Sequence, residues 1–569
     1  MPDLNFDTIT NSRPQNRNTH DPVQAVSSLS LVVPPFIRPT SPPLGPASLK
    51  AYLKQDTPHT TVRCFDLNLD YIYLAMDYME NGTFKLTLYE WDHVETAKKV
   101  RQASYFLKNN RPSSKNIKEY HRQSTIFLSF ENILNGFMSE MALRAYAGAP
   151  IPSGVEAFFE ALTRDFLAER VDLVCISVLF DVQMPFALLL AKKVKETTEA
   201  RVLLGGAKFG VEPDPGRLLR NPFVKKVDGK EYRVLARDFI DGIVSGEGEL
   251  CISHIVKMRS WQELHSSPNL FFWQKGKVVG NKPAVVKDMD LLPCPDFSDF
   301  ALDRYLCYEP VLPLLTARGC PWGKCVFCTH HHSYKNYRQR SINKVIKDIK
   351  YLQEIHGIRF INFFDEMIPP ARLRKMAKEI ISQHLNIRYS VYGKPIKNFD
   401  METLKIIYDS GCRVILWGLE SASQRILDIM KKGTRIDDVE RVIRVASQVG
   451  IRNLVFVMFG FPGETKEEFL ETVSFLEKNN SHIHALSKGT FVYAEGSFMA
   501  QNPGLFGITE VKECDVPPFI SKSLLYETEK GLSMRQTKKL FKENLKKMES
   551  IGITPRFGTY RDHLLFYTS

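Results

Sequence analysis

Hydrophobic and polar positions follow two alternating periods along most of the chain. Short apolar runs that fit buried strands recur at 29–33, 62–67, 173–179, 202–204 and 242–244. Helical periods lie between them. Ser48 opens a helix whose Leu49, Tyr52 and Leu53 share one face, and further helices are predicted over 155–169 and 185–197. Alternating strands and helices predict a parallel, doubly wound, Rossmann-like sheet that takes its ligands at the carboxyl ends of the strands. Residues 68–154 interrupt the alternation. They are tyrosine-rich and largely helical, and read as an insertion.

A second series follows a connecting segment at 266–310. That segment holds FFWQKGKVVGN, a hairpin with a Lys-Gly turn, and the proline-punctuated LLPCPDFSDF. The second series has strands at 312–316, 360–364, 388–391, 414–419, 454–458 and 486–492, with helices such as 341–355 and 466–479 between them. Six βα repeats predict a partial barrel with its chemistry at the C-terminal strand ends. The expected fold is therefore α/β. Residues 1–28 form a loose tail and 29–265 the doubly wound domain. The partial (β/α)6 barrel occupies 311–503, and 504–569 is a small helical C-terminal region. In that last region Ser533 and Gln536 form a capping box for a helix to about Ser550, read as a cover for the barrel.

Composition narrows the function classes. The chain has 569 residues, 44% hydrophobic and 25% charged, which excludes a disordered or collagen-like protein. The net charge of +12 is spread along the chain. Its densest basic run, 538–547, reads as the wet side of an amphipathic helix, so neither nucleic acid nor membrane is expected as a partner. No apolar run approaches the ~18 residues of a membrane span. The start, MPDLNFDTIT, lacks a basic then apolar signal pattern. A cytoplasmic location is expected, with the ten cysteines as reduced thiols.

Three of those cysteines cluster. Cys320, Cys325 and Cys328 lie in ARGCPWGKCVFC, just after the first barrel strand. Two chemistries use such a set. A Cys3His zinc site could be completed by His330, His331 or His332. A 4Fe-4S cluster held by three thiolates would leave one iron open for a substrate or cofactor. Position favours the cluster, because the first strand-to-helix loop of a parallel barrel is where catalytic groups collect.

In these features residues 311–500 resemble a radical S-adenosylmethionine (SAM) enzyme. The family's usual cysteine spacing is three residues then two, and the four-then-two spacing here is a departure. Phe327 matches the aromatic position before the third cysteine, near which the family packs the adenine. Asp365 and Glu366 in INFFDE fall where the family binds the methionine amino group. Glu420 and Ser421 in LWGLES match its polar cofactor contacts. Gly460, Pro462 and Gly463 in FVMFGFPGET match the backbone that approaches the adenosine, and MKKGT also fits. Each has a plainer alternative. Asp365 and Glu366 could cap the helix after Pro369 and Pro370, Glu420 could cap one near Ser423, and Pro462-Gly463 could be only a turn.

Residues 29–260 in turn resemble a cobalamin-binding domain. The matching features are PPLGPASLKAYL, Ser177 to Leu179, Gly205-Gly206, and SGEGE with Gly246 and Glu247. The Asp-x-His-x-x-Gly loop of histidine-ligating cobalamin domains is missing. The resemblance then implies that Phe180, Asp181 and Gln183 set the lower face of the cobalamin. Together the resemblances imply a cobalamin-dependent radical SAM methyltransferase with a 4Fe-4S cluster, SAM and cobalamin as cofactors. It would methylate an unactivated carbon of a natural-product or peptide substrate, using SAM both as methyl source and as radical source. A flavodoxin- or ferredoxin-like donor would supply electrons. His330 to His332 and Tyr334 are candidate substrate-pocket residues. A cyclase or rearrangement enzyme, a radical SAM enzyme that has lost cobalamin, and a non-enzymatic cobalamin sensor are the alternatives.

Overall fold

The computed structural model describes residues 26–83, 93–330, 334, 336–514, 516–521, 524–552 and 560–567. Most of the expected N-terminal tail lies outside these residues. The first sheet is built from β1 (Ser28–Val33), β2 (Thr61–Asp66), β3 (Leu173–Ser177), β4 (Arg201–Gly205), β7 (Gly242–Val244), β8 (Leu270–Gln274) and β9 (Lys277–Gly280), in the order β2-β1-β3-β4-β7-β8-β9. A separate hairpin, β5 (Pro222–Val227) and β6 (Lys230–Leu235), precedes β7. β1, β2, β3, β4 and β7 are parallel, and β8 and β9 join antiparallel. β1 is buried almost throughout, as a central parallel strand covered on both faces should be. The strand order reverses at β1, which opens a crevice at the carboxyl ends of β1 and β3.

Two expectations shift here. The hairpin placed in the connecting segment is β8 and β9, the outer edge of the first sheet. Its turn residues Lys275 and Gly276 both have positive φ (48° and 77°), the geometry that matches the twist of a two-residue hairpin. The first helix begins at Leu44 rather than Ser48. Pro46 is tolerated because N–H groups in a first helical turn have no intrahelical partner.

The insertion contributes helices Leu67–Glu80, His93–Asn109 and Ile117–Ala147. The last of these packs Phe127, Phe130, Leu134 and Met138 into one apolar core with Phe186 to Leu190 of helix Met184–Thr197.

The second sheet contains β10 (Val311–Leu314), β13 (Phe360–Phe363), β14 (Arg388–Gly393), β15 (Cys412–Glu420), β16 (Arg452–Phe459) and β17 (Ala485–Thr490), all parallel and in chain order. All six expected barrel strands are present. A short antiparallel ribbon, β11 (Ala317–Arg318) with β12 (Arg338–Gln339), follows β10. Ser341 caps helix Ile342–His356, and Thr465 with Glu468 makes a capping box for helix Lys466–Lys478. Strand alternation sends Ile361, Phe363 and Trp417 toward the helices. Phe360, Asn362, Tyr392 and Leu454 take the inner face.

The C-terminal region carries helix Met534–Glu549 with the expected Ser533–Gln536 box. It also carries an unexpected hairpin, β18 (Ile508–Glu513) with β19 (Leu524–Thr528). Tyr560–Tyr567 then return to the inner face of the barrel. Phe566 sits 4.5 Å from the Phe360 ring, and Arg452 donates to the Leu564 carbonyl at 3.1 Å. No helix among the described residues is long and apolar enough to cross a membrane.

Candidate functional site

The cysteine loop is tied at its base and braced along its length. The β11–β12 ribbon closes it, and Gly319 turns with φ 84° where an added Cβ would lie 3.0 Å from the Asn336 carbonyl. The Val326 N–H donates to the Met430 carbonyl (3.1 Å), and Trp322 Nε1 donates to the Lys431 carbonyl (2.9 Å). Gly433, in the MKKGT stretch, lets the Trp322 ring approach to a distance that any Cβ would obstruct. All ten cysteines are free. Burial pushes the Cys325 thiol up and the Cys328 thiol up to about 12, and the neighbouring thiols of the loop add to both shifts. Burial also lowers Lys394, whose ammonium lies 3.2 Å from the centre of the Trp322 ring, to about 8. Lys432 is paired with Glu420 at 2.7 Å beside the loop.

Three thiols and two nearby ammonium groups form a donor set suited to an anionic iron–sulfur cluster with three protein ligands. Among the described residues, no three His, Cys, Asp or Glu side chains are grouped as a single-ion site. Of the histidines considered for a zinc site, His331 and His332 lie outside the described residues. His330 Nδ1 is 3.0 Å from Glu366.

The barrel motifs divide into open and enclosed positions. Glu420 has φ 70° at a register shift between β15 and β16, a strained setting that side chains rarely adopt. It caps no helix, because Ser423 caps the next one. Glu366 faces the large cavity described below. Asp365, by contrast, is buried and accepts from the Thr316 N–H (3.0 Å) and hydroxyl (2.7 Å), and burial raises it to about 6. It does not cap the following helix, which has no side-chain cap. Ser421 is fully buried, with its hydroxyl accepting from the Ser423 N–H at 3.2 Å. Phe327 packs edge-on to Phe461 at 6.4 Å. Gly460 is a close-approach position, but what approaches it is Thr537 of the C-terminal helix, while Tyr526 donates to its carbonyl at 2.9 Å. Pro462 is buried, and Gly463 has φ 86° with open space at its Cβ position.

A cavity of about 1250 Å³ lies between the carboxyl ends of the two sheets. From the first sheet it takes Ser177, Leu179, Gly205, Gly206, Gly246 and Glu247. From the barrel it takes Arg318, Thr329, His330, Tyr334, Phe364 and Glu366. Gly206 has φ 102°, and a Cβ there would meet the Val178 carbonyl at 2.3 Å. Phe180 and Val182 are 61% and 57% exposed, and both line this cavity. Bare apolar side chains beside glycine backbone make a surface that a large, flat, amide-fringed group would cover. Cobalamin fits that description.

Gln183 does not reach the cavity. It is fully buried, accepting from the Leu179 N–H (2.8 Å) and donating to the Pro34 carbonyl (2.7 Å), so it braces the loop after β3. Asp181 pairs with Lys208 at 2.9 Å. Glu247 lines the cavity but is held by Arg318 (2.9 Å) and by Arg338, and Glu249 pairs with Arg318 as well. These buried pairs tie the SGEGE turn to the base of the cysteine loop.

Two contributors to the cavity were missed in the sequence. Asn132, Asn135, Gly136 and Ser139 of the insertion form one polar wall, at the i, i+3, i+4, i+7 spacing of a single helix face. Arg561 and Asp562 of the C-terminal segment form another part of the lining. Only the small-polar spacing on the long helix could have flagged the first, and no local pattern marks the second.

The model of the Radical SAM superfamily matches residues 314–476. Those residues are a radical SAM domain. An uncharacterized methyltransferase of Pyrococcus horikoshii is 30% identical over 245 residues, covering 42% of this chain and 53% of that protein. The bacteriochlorophyllide d C-12(1)-methyltransferase of Chlorobaculum tepidum is 31% identical over 240 residues, 40% of this chain and 50% of its own. The chain thus spans about half the length of these curated relatives. Among solved structures, the radical S-adenosylmethionine methyltransferase TsrM from Kitasatospora setae, with cobalamin and a 4Fe-4S cluster bound, is similar over 89% of this chain and 84% of that one. Its TM-score is 0.57 at 16% identity. The cobalamin-dependent S-adenosylmethionine radical enzyme OxsB, with aqua-cobalamin and SAM bound, is similar over 91% of this chain and 67% of that one, with a TM-score of 0.60 at 14% identity. These likenesses extend beyond the radical SAM domain and show that the two-sheet architecture is shared.

Proposed function

We propose that the chain is a cobalamin-dependent radical SAM methyltransferase that methylates an unactivated carbon of a small-molecule or peptide substrate. The observation that carries this reading is the single cavity at the carboxyl ends of both sheets, with glycine backbone on one side and the cysteine loop's Thr329 and His330 on the other. When bound, the cluster supplies the electron that cleaves SAM to a 5′-deoxyadenosyl radical, and cobalamin relays the methyl group.

The chain's own residues hold, orient and exclude water. Cys320, Cys325 and Cys328 would hold the cluster. Glu366 at the end of β13 and Glu420 at the end of β15 are the carboxylates placed to orient the methionine part of SAM, with His330 and Lys432 as their charge partners. Phe327 and the turn Gly460, Pro462 and Gly463 flank the adenosine. Asp365 and Ser421 support from behind, through Thr316 and Ser423. Ser177, Gly205, Gly206 and Gly246 would admit the cobalamin tail, and the exposed Phe180 would pack against the cofactor. The enzyme works in the cytoplasm and takes electrons from a flavodoxin- or ferredoxin-like donor.

The test is the product pair. Anaerobically reconstituted protein with substrate and reductant should convert SAM to both S-adenosylhomocysteine and 5′-deoxyadenosine. Failure to form either one overturns the methyltransferase reading. A second reading, a cyclase, is favoured by the 29% identity over 250 residues to the anaerobic magnesium-protoporphyrin IX monomethyl ester cyclase of Cereibacter sphaeroides. It predicts 5′-deoxyadenosine without S-adenosylhomocysteine.

A further inference from the structure

Three arginines line the cavity, and two of them are neutralised. Arg38 pairs with Glu131 at 2.8 Å, and Arg318 pairs with Glu247 and Glu249. Arg561 differs. Its guanidinium lies 5.3 Å from the Phe364 ring centre and 5.6 Å from that of Tyr392, and it donates to the Tyr392 hydroxyl. Among the described residues, no carboxylate lies within ion-pair distance of it. The adjacent Asp562 is turned away, accepting from Asn362 Nδ2 and Thr40 Oγ1 at 2.6 Å each. Glu366, in the same lining, is taken by His330.

A guanidinium set beside two adjoining aromatic rings and hydrogen-bonded to the hydroxyl of one is restrained, and its planar fork suits a carboxylate or phosphate held through two donors. A cation in a lining of low polarity also lacks full hydration until an anion arrives. We propose that Arg561 anchors a carboxylate or phosphate group carried by the substrate. The C-terminal segment is then a wall of the substrate site, and the enzyme selects acidic substrates. The methyltransferase reading supplies only the statement that a substrate enters this cavity.

The probe is inorganic phosphate, followed by ³¹P line broadening on protein loaded with cluster and cobalamin. The wild type should bind phosphate saturably, and saturating SAM should leave that binding unchanged. Arg561→Gln should weaken it about tenfold or more, the loss expected for a charge-assisted hydrogen bond, and Arg561→Lys should restore part of it. Displacement by SAM would assign the anion to the SAM carboxylate and overturn the proposal. Binding lost on loading cobalamin would assign it to the cobalamin phosphate, with the same result. Unweakened binding in Arg561→Gln would also overturn it. If that variant fails to fold, the SAM and cobalamin competitions on the wild type still decide. A chain that takes up no cobalamin at all contradicts the methyltransferase reading instead, since phosphate binding can be read without it.

Discussion

At the carboxyl ends of the N-terminal sheet, Gly206 and Gly246 present bare backbone and Phe180 an uncovered ring. At the same ends of the barrel sheet, Cys320, Cys325 and Cys328 sit in a braced loop, beside the strained Glu420 and its Lys432 partner. β1, β2, β3, β4 and β7 of the first sheet are parallel, as are all six barrel strands, and both sheets open onto one cavity. One contributes shape, the other contributes donors and charge. The difference teaches where substitutions should hurt. Removing a side chain damages the barrel end, while adding one damages the N-terminal end.

The sharpest break in that symmetry is Cys325→Ala. Iron binding and reductive cleavage of SAM should fall to background while cobalamin uptake, read by visible absorption, persists. Loss of both together would mean the two ends are not separable. Next is Arg318→Met, which leaves Glu249 buried without its partner and should cost about 3–5 kcal/mol in chemical denaturation. Adding Glu249→Gln should recover part of that loss. Gly206→Ala should cost about 1–3 kcal/mol, because its backbone is left-handed and its Cβ would strike the Val178 carbonyl. It should also lower cobalamin affinity, whereas the same change at Gly82, with open space around it, should not.

A pH effect of smaller reach lies in the FPGET turn that follows β16. Burial pushes Glu464 up to about 8 from an ordinary 4.5. The folded chain therefore keeps this proton until about pH 8, while the unfolded chain releases it near 4.5. The contribution to stability is complete below the lower value and is lost as pH rises through the upper one. Glu464→Gln, which cannot ionise, should gain steadily on the wild type across that window in melting temperature and level off above it. Smallest of all, Lys542→Gln on the solvent face of helix Met534–Glu549 should change stability by no more than about 0.5 kcal/mol.

The barrel was the legible half. Its six strands carry strong apolar runs, three of its helices begin at Ser or Thr caps, and its cysteines are close in sequence. What sequence could not separate was which motif residue faces the cavity. Asp365 and Glu366 are adjacent, and neighbouring residues at a strand end point opposite ways, so one braces Thr316 and the other meets His330. Gln183 and Ser421 have polar side chains that satisfy backbone N–H groups, which no spacing rule distinguishes from ligand contacts. The hairpin β5–β6 escaped because charged residues interrupt its apolar positions, and β18–β19 because one strand is charged and exposed. Asn132 to Ser139 and Arg561 reach the cavity only through tertiary packing of the long helix and the returning C-terminal segment.

The most direct measurement is cofactor content of the anaerobically reconstituted chain, together with electron paramagnetic resonance of its reduced cluster and cob(II)alamin. The account predicts one cluster and one cobalamin per chain, dipolar coupling between them, and no nitrogen splitting on the cobalt signal from a histidine of the N-terminal sheet. A chain that binds zinc at the three cysteines, or binds cobalamin without any coupling to the cluster, would contradict it.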